Sequence, residues 1–309
     1  MNSERLSSRQ LAVAVLVGGL SVGAAAAGRT DWWWLLACVP LGVMIGWALL
    51  RRVEHRPLHP VLRVLYGLWA VALMADALER AAGRLWSAAG EKGDARWLVI
   101  LLALPLVWMG WGKAAAFFRA VEVLWLAVGV TAAAVLLLGV PRMEWAWTME
   151  QAGGWKESLG AGIVILSTGL FALPHLYKIQ EEPGGPRRGL VWLGALGVLS
   201  AALAALTAGL LSPAVAARLD EPFFAAAGLL GDSARLEGLV SALWLLPDLT
   251  LAGLLSRSWG EKQWPAAAVL AAAGTALTGI VRILPGAVLP LGCLALAALT
   301  AVCPGGVDK

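Results

Sequence analysis

The chain has 309 residues, of which 60% are hydrophobic, with a mean hydropathy of +0.76 and a formal net charge of +4. Soluble domains hold about 45–50% apolar residues, so this composition excludes a soluble globular protein and points to an all-α integral membrane protein. The Lys and Arg residues sit in short loops between apolar runs, which excludes a nucleic-acid-binding face and reads as a topology signal.

Apolar runs long enough to cross about 30 Å of hydrocarbon as helices recur from end to end. The hydropathy predicts ten transmembrane helices, near 10–28, 32–50, 60–84, 96–112, 117–139, 158–177, 189–211, 236–256, 265–283 and 286–303. They fill the chain, so residues 1–309 are expected to form a single transmembrane domain. With the N-terminus inside, 14 of the 24 basic residues fall on the cytoplasmic side against six acids, a net +8, and 10 face 14 acids elsewhere, a net −4. The positive-inside rule then places both termini in the cytoplasm. Trp32, Trp33, Trp34, Trp86, Trp97, Trp145, Trp147, Trp155, Trp259 and Trp264 cluster near span ends, where an indole prefers the headgroup zone.

The first span is weak at its centre, with Gly18, Gly19, Ser21 and Gly23 within six residues. Read alone, it is also compatible with close helix packing by small residues, or with a cleaved signal peptide behind Arg5 and Arg9. Ten spans divide into two fives, and an odd number per set inverts the second relative to the first, a known transporter plan. The repeats then run over about 10–139 and about 158–303, and span 6 matches span 1. Span 6, "ESLGAGIVILSTGLFALPHLY", is also interrupted, by Ser167, Thr168, Gly169 and Pro174. Glycine costs about 1 kcal/mol and proline about 3 in a helix interior, so both spans are expected to be discontinuous. Exposed amides at such breaks bind a carboxylate, while carbonyls and hydroxyls take an amine. The expected substrate-binding residues are therefore Gly18, Gly19, Ser21, Gly23, Ser167, Thr168 and Gly169, with Phe171 lining the pocket.

Acids inside spans need partners. Asp248 follows Pro247 in span 8 and is a candidate ion or proton site, or a solvated residue if the span boundary lies elsewhere. Asp76 lies near the charged end "DALERAAGR" and is read as solvated, Glu122 as the local partner of Arg119 three residues earlier, and His175 as interfacial. Cys38, Cys293 and Cys303 show no metal or disulfide spacing and read as small buried hydrophobes. No phosphate loop, His-Glu-x-x-His or nucleophile elbow appears. An enzyme, a cofactor and a metal are therefore not expected.

Four stretches carry a resemblance: "LSSRQLAVAVLVGGLSVG" with its Ser-x-x-Gln opening, "DWWWLLACVPLGVMIGWALLRRV" with Asp-x-Trp, "GKAAAFFRAVEVLWLAVGVTAAAVLLLGVPRMEWAWTM" with Arg-x-x-Glu, and "FFAAAGLLGDSARLEGLVSALWLLPDLTL" with Arg235, Glu237 and Trp244. In that order they resemble the B subunit of spore germinant receptors, the spore germination permease family of the amino acid/polyamine/organocation superfamily. The usual Gly-Thr-Gly is replaced here by "GGLSVGA", and the loops are shorter. The resemblance implies a LeuT-like 5+5 inverted repeat, a small amino-acid-like germinant as ligand, A and C receptor subunits as partners, and residence in the cell membrane or spore inner membrane. The residues leave two other readings open: a proton- or sodium-coupled amino-acid transporter, and a structural subunit without a ligand.

Overall fold

The Ser-x-x-Gln opening is a helix cap. Ser7 accepts from the Arg9 amide, Gln10 accepts from the Ser7 amide, and helix α1 (Ser8–Ala26) starts there. This reciprocal pattern satisfies two of the amide donors that a helix start leaves unpaired. A computed structural model describes residues 7–53, 60–88, 95–150, 154–167, 185–231, 235–260, 264–277, 292–296 and 299, and these are almost wholly helical. The described residues contain no strand beyond one isolated bridge, Ala27 with Thr30.

After α1 come α2 (Trp32–Val53), α3 (Pro60–Ala88), α4 (Ala95–Trp111) and α5 (Ala114–Gly139). A 3₁₀ turn (Val140–Arg142) leads to the short α6 (Trp145–Thr148), then α7 (Trp155–Ser167) and α8 (Gly185–Leu211). Two short helices, α9 (Pro213–Ala216) and α10 (Pro222–Gly228), precede α11 (Arg235–Gly260) and α12 (Trp264–Leu277). Four helical stretches among the described residues are long and apolar enough to cross a membrane: Arg9–Ala26, Ala114–Arg142, Val191–Leu211 and Leu236–Arg257. Trp32–Met44 and Arg96–Trp111 are shorter apolar helices. The tenth expected span falls mostly outside the described residues, which there hold only a helical piece at 292–296 and residue 299.

Helix α1 forms the middle of the bundle. It packs on α8, α11, α5 and α7, and 78% of its apolar window is buried against 22% for α5. Around it α2 packs on α7 and α8, α3 on α11, α12 and α4, and α11 on α4 and α12. The outer flank of α5 presents Val123, Leu126, Val130 and Leu137, the chemistry of a lipid-facing surface.

Alternate helix ends gather at two poles. At one, the α1–α2 turn, α6, the start of α7 and the α9–α10 segment meet: Trp32 Nε1 donates to the Thr148 carbonyl (3.0 Å), and the Asp31 amide to Ser158 Oγ (3.0 Å). Gly28 makes this turn possible, with φ +80° and no room for a Cβ between Thr207 and Pro222. At the other pole, Arg257 of α11 is buried and donates to the carbonyls of Met109 (2.6 Å) and Gly112 (2.9 Å), closing the end of α4.

Candidate functional site: a charged cluster where α1, α3 and α11 meet

A helix that carries Asp76, Arg80 and Arg84 places all three on one face, because residues four apart stack. On α3 this face turns towards α1 and α11. Arg80 pairs with Asp76, its Nη2 donates to Ser21 Oγ of α1 (3.0 Å), and its Nε stands 3.9 Å from Asp248 Oδ1 of α11. Ser21 Oγ donates to that same Asp248 oxygen, and Arg84 pairs with the other. Arg84 also reaches Glu221, the residue before α10, at 3.3 Å, and its guanidinium lies 4.9 Å from the centre of the Phe224 ring.

The apolar wall holds these groups in place. Trp244 of α11 is fully buried, 4.8 Å centre to centre from Phe223, and its Nε1 donates to the Leu20 carbonyl at 3.5 Å. Side-chain exposure falls from 29% at Asp76 and at Glu221 to 14% at Arg80, 4% at Arg84 and 1% at Asp248. A charge at this depth is tolerated only when paired, and each of these five has an opposite charge beside it. The Nε atoms of Arg80 and Arg84 are buried with no hydrogen-bond partner among the described residues.

The chain matches no protein-family model and no curated protein.

The fold brings together two of the expected residues from opposite ends of the sequence. Ser21 and Asp248, 227 positions apart, share a hydrogen bond. The expected break in span 1 is absent: α1 runs unbroken through Gly18, Gly19, Ser21 and Gly23. Its glycines serve close approach instead. A Cβ on Gly18 would lie 3.2 Å from Leu251 Cα, and Gly23 packs directly on Ser200 of α8. The cost of glycine is offset because α11 and α8 press on the helix from both sides. Pro247 does not open span 8 either, since α11 is continuous past it. Ser167 ends the described part of α7, and Thr168, Gly169, Phe171, Pro174 and His175 lie outside the described residues.

Two pairings differ from expectation. Asp76 is the partner of Arg80 within α3, not a solvated end residue. Glu122 does not meet Arg119; it accepts from Gln10 Nε2 (3.2 Å) and faces Arg9 Nε (3.6 Å), so it ties α5 to the start of α1. Where a coupling cation would stand beside Asp248, the structure places guanidinium groups. Among the described residues no group of His, Cys, Asp and Glu is arranged to hold a metal. The residues missed by sequence reasoning are Arg80, Arg84 and Glu221. For the two arginines the signal was the spacing by four of Asp76, Arg80 and Arg84 within a long, largely apolar helix, while Glu221, outside that helix, carried no such signal.

Proposed function

We propose that this protein is the membrane subunit of a spore germinant receptor, which binds a small amino-acid-like germinant in a transporter-like helical bundle and passes that event to A and C partner subunits. The observation that carries the reading is the paired charge cluster buried between α1, α3 and α11. Ionisable groups kept inside a membrane bundle at such cost mark a site of function by default, and a cluster of both signs suits a zwitterionic ligand.

The ten-helix inverted repeat is part of the proposal, and the pattern of helix neighbours supports it. Exchanging α1 with α7, α2 with α8, α3 with α11 and α4 with α12 carries the α1–α8 contact onto α7–α2, α3–α4 onto α11–α12, and α3–α12 onto α11–α4. The pairs α1–α7, α2–α8, α3–α11 and α4–α12 map onto themselves, and all are in contact. A two-fold relation between the halves accounts for this at once. The resemblance in the four sequence stretches supports the family, and the loop charges support cytoplasmic termini.

The rival, a proton- or sodium-coupled amino-acid transporter, draws on Asp248 lying midway along α11. Its partners there are already cationic, so an ion has to displace an arginine, and we favour the receptor. Reconstitution in liposomes with labelled amino acids separates the two. Saturable binding without gradient-driven uptake is expected; concentrative uptake driven by a proton or sodium gradient replaces the receptor with the transporter. Absence of binding for every common amino acid overturns both.

A further inference from the structure

The two ion pairs of α3 are not equivalent. Arg84 and Asp248, 4% and 1% exposed, join two helices and are enclosed by Ser21 and the Phe224 ring. Arg80 and Asp76, 14% and 29% exposed, sit one turn apart on the same helix. That pair therefore holds no two elements together, and its separation leaves the α3–α11 brace standing. Helix α1 is unbroken, so the amides at 18–23 are engaged within the helix and cannot receive a carboxylate. A ligand's charges must then meet side chains.

We infer that the Arg80–Asp76 pair is the zwitterion receptor of this protein: an amino acid inserts between the two, its carboxylate on the Arg80 guanidinium and its ammonium on the Asp76 carboxylate. The inference rests on the amino-acid reading above and deepens it. One internal ion pair is exchanged for two, and no charge is left alone inside the bundle. Arg80 meets Asp76 through Nη1, so the ligand carboxylate takes that nitrogen in a charge-assisted hydrogen bond as Asp76 lets go. Ser21 and Asp248 hold Arg80 from the other side, which keeps the guanidinium in place when Asp76 lets go. A ligand with only one charged end opens the pair and replaces only one half of it, which leaves either Arg80 or Asp76 without its nearest opposite charge, a costly outcome for a group inside the bundle. A third charge on the ligand finds no open partner in the cluster, because Arg84, Asp248 and Glu221 are engaged with one another. Amino acids with neutral side chains are thus the ligand class.

The test uses the purified full chain in detergent micelles and equilibrium binding. L-alanine and L-leucine are compared with ethylamine and isopentylamine, which lack the carboxylate, and with propionate and 4-methylpentanoate, which lack the amine. At least one of the two amino acids is expected to bind, with its one-ended analogues about 100-fold weaker or worse, the ratio that one unpaired buried charge implies. Asp76→Asn and Arg80→Gln are expected to weaken the amino acid at least about tenfold, while Arg119→Gln, an exposed position on α5, leaves it unchanged. If a variant does not fold, the analogue series on the natural chain decides alone. An amine or acid that binds within about threefold of its parent amino acid, or undiminished amino-acid binding by folded Asp76→Asn, overturns the inference and leaves the receptor reading intact. Failure of all twenty common amino acids to bind the natural chain overturns both.

Discussion

Removing Arg84 is expected to cost far more stability than removing Asp248, although the two form one ion pair. The cluster holds three carboxylates, Asp76, Glu221 and Asp248, against two guanidiniums, Arg80 and Arg84. Arg84→Gln strips Asp248, 1% exposed, of its nearest cation and leaves Glu221 without its partner. Breaking a buried pair in this way costs about 3–5 kcal/mol. Asp248→Asn leaves Arg84 on Glu221 and Arg80 on Asp76, and the new amide still accepts from Ser21, so its cost is that of a weakened hydrogen bond, about 1–3 kcal/mol. The gap between the two variants is therefore about 2 kcal/mol. The double variant loses one charge of each sign and is expected to recover about 1–3 kcal/mol relative to Arg84→Gln plus Asp248→Asn added singly. Reversible unfolding in mixed micelles, with SDS as denaturant, measures all three. If both single variants cost under about 1 kcal/mol, or the double equals their sum, the cluster is not a coupled unit and the reasoning fails.

Further consequences concern packing and tethering. Gly23→Leu drives a side chain into Ser200 of α8 and is expected to destabilise by at least about 1–3 kcal/mol; Ser200→Gly in the same chain should restore part of the loss on the same unfolding curve. Trp244→Ala empties a fully buried site against Phe223 and Phe224, at about 3–5 kcal/mol, and a loss under about 1 kcal/mol would contradict the described packing. Glu122→Gln keeps an acceptor for Gln10 and gives up only the partly exposed contact with Arg9, so stability is expected to change by less than about 1 kcal/mol.

Much of the helical framework was legible in the sequence, because apolar runs of about 20 residues leave the backbone no alternative in a bilayer. The centre of α1 was misread for a definite physical reason. Propensity scores Gly18, Gly19 and Gly23 as breaks, but it cannot see that α11 and α8 approach closely there, and contacts with neighbours override intrinsic preference. Ser21 and Asp248 each stand out in the sequence, yet their meeting across 227 positions follows from topology, which local pattern does not encode. The charges near Asp76 read as a helix end, which assigns it to water; α3 in fact continues to Ala88 and keeps the stripe inside. Spacing by four in a long apolar helix was the better clue. Glu122 shows the converse error: a local partner three residues away lost to a distant one, because Gln10 and Arg9 approach from a helix that packs on α5.

The segment between α8 and α11 is gripped in an unusual manner. Arg29 donates to the carbonyls of Leu219 (3.1 Å) and Asp220 (2.7 Å), and Arg142 to those of Leu229 (3.2 Å) and Leu230 (2.6 Å). Every amino acid supplies the same carbonyl, so the gripped positions are free to drift in sequence while the two arginines are not. Among distant relatives, identity should therefore persist at Arg29 and Arg142 more than at Leu219, Asp220, Leu229 and Leu230.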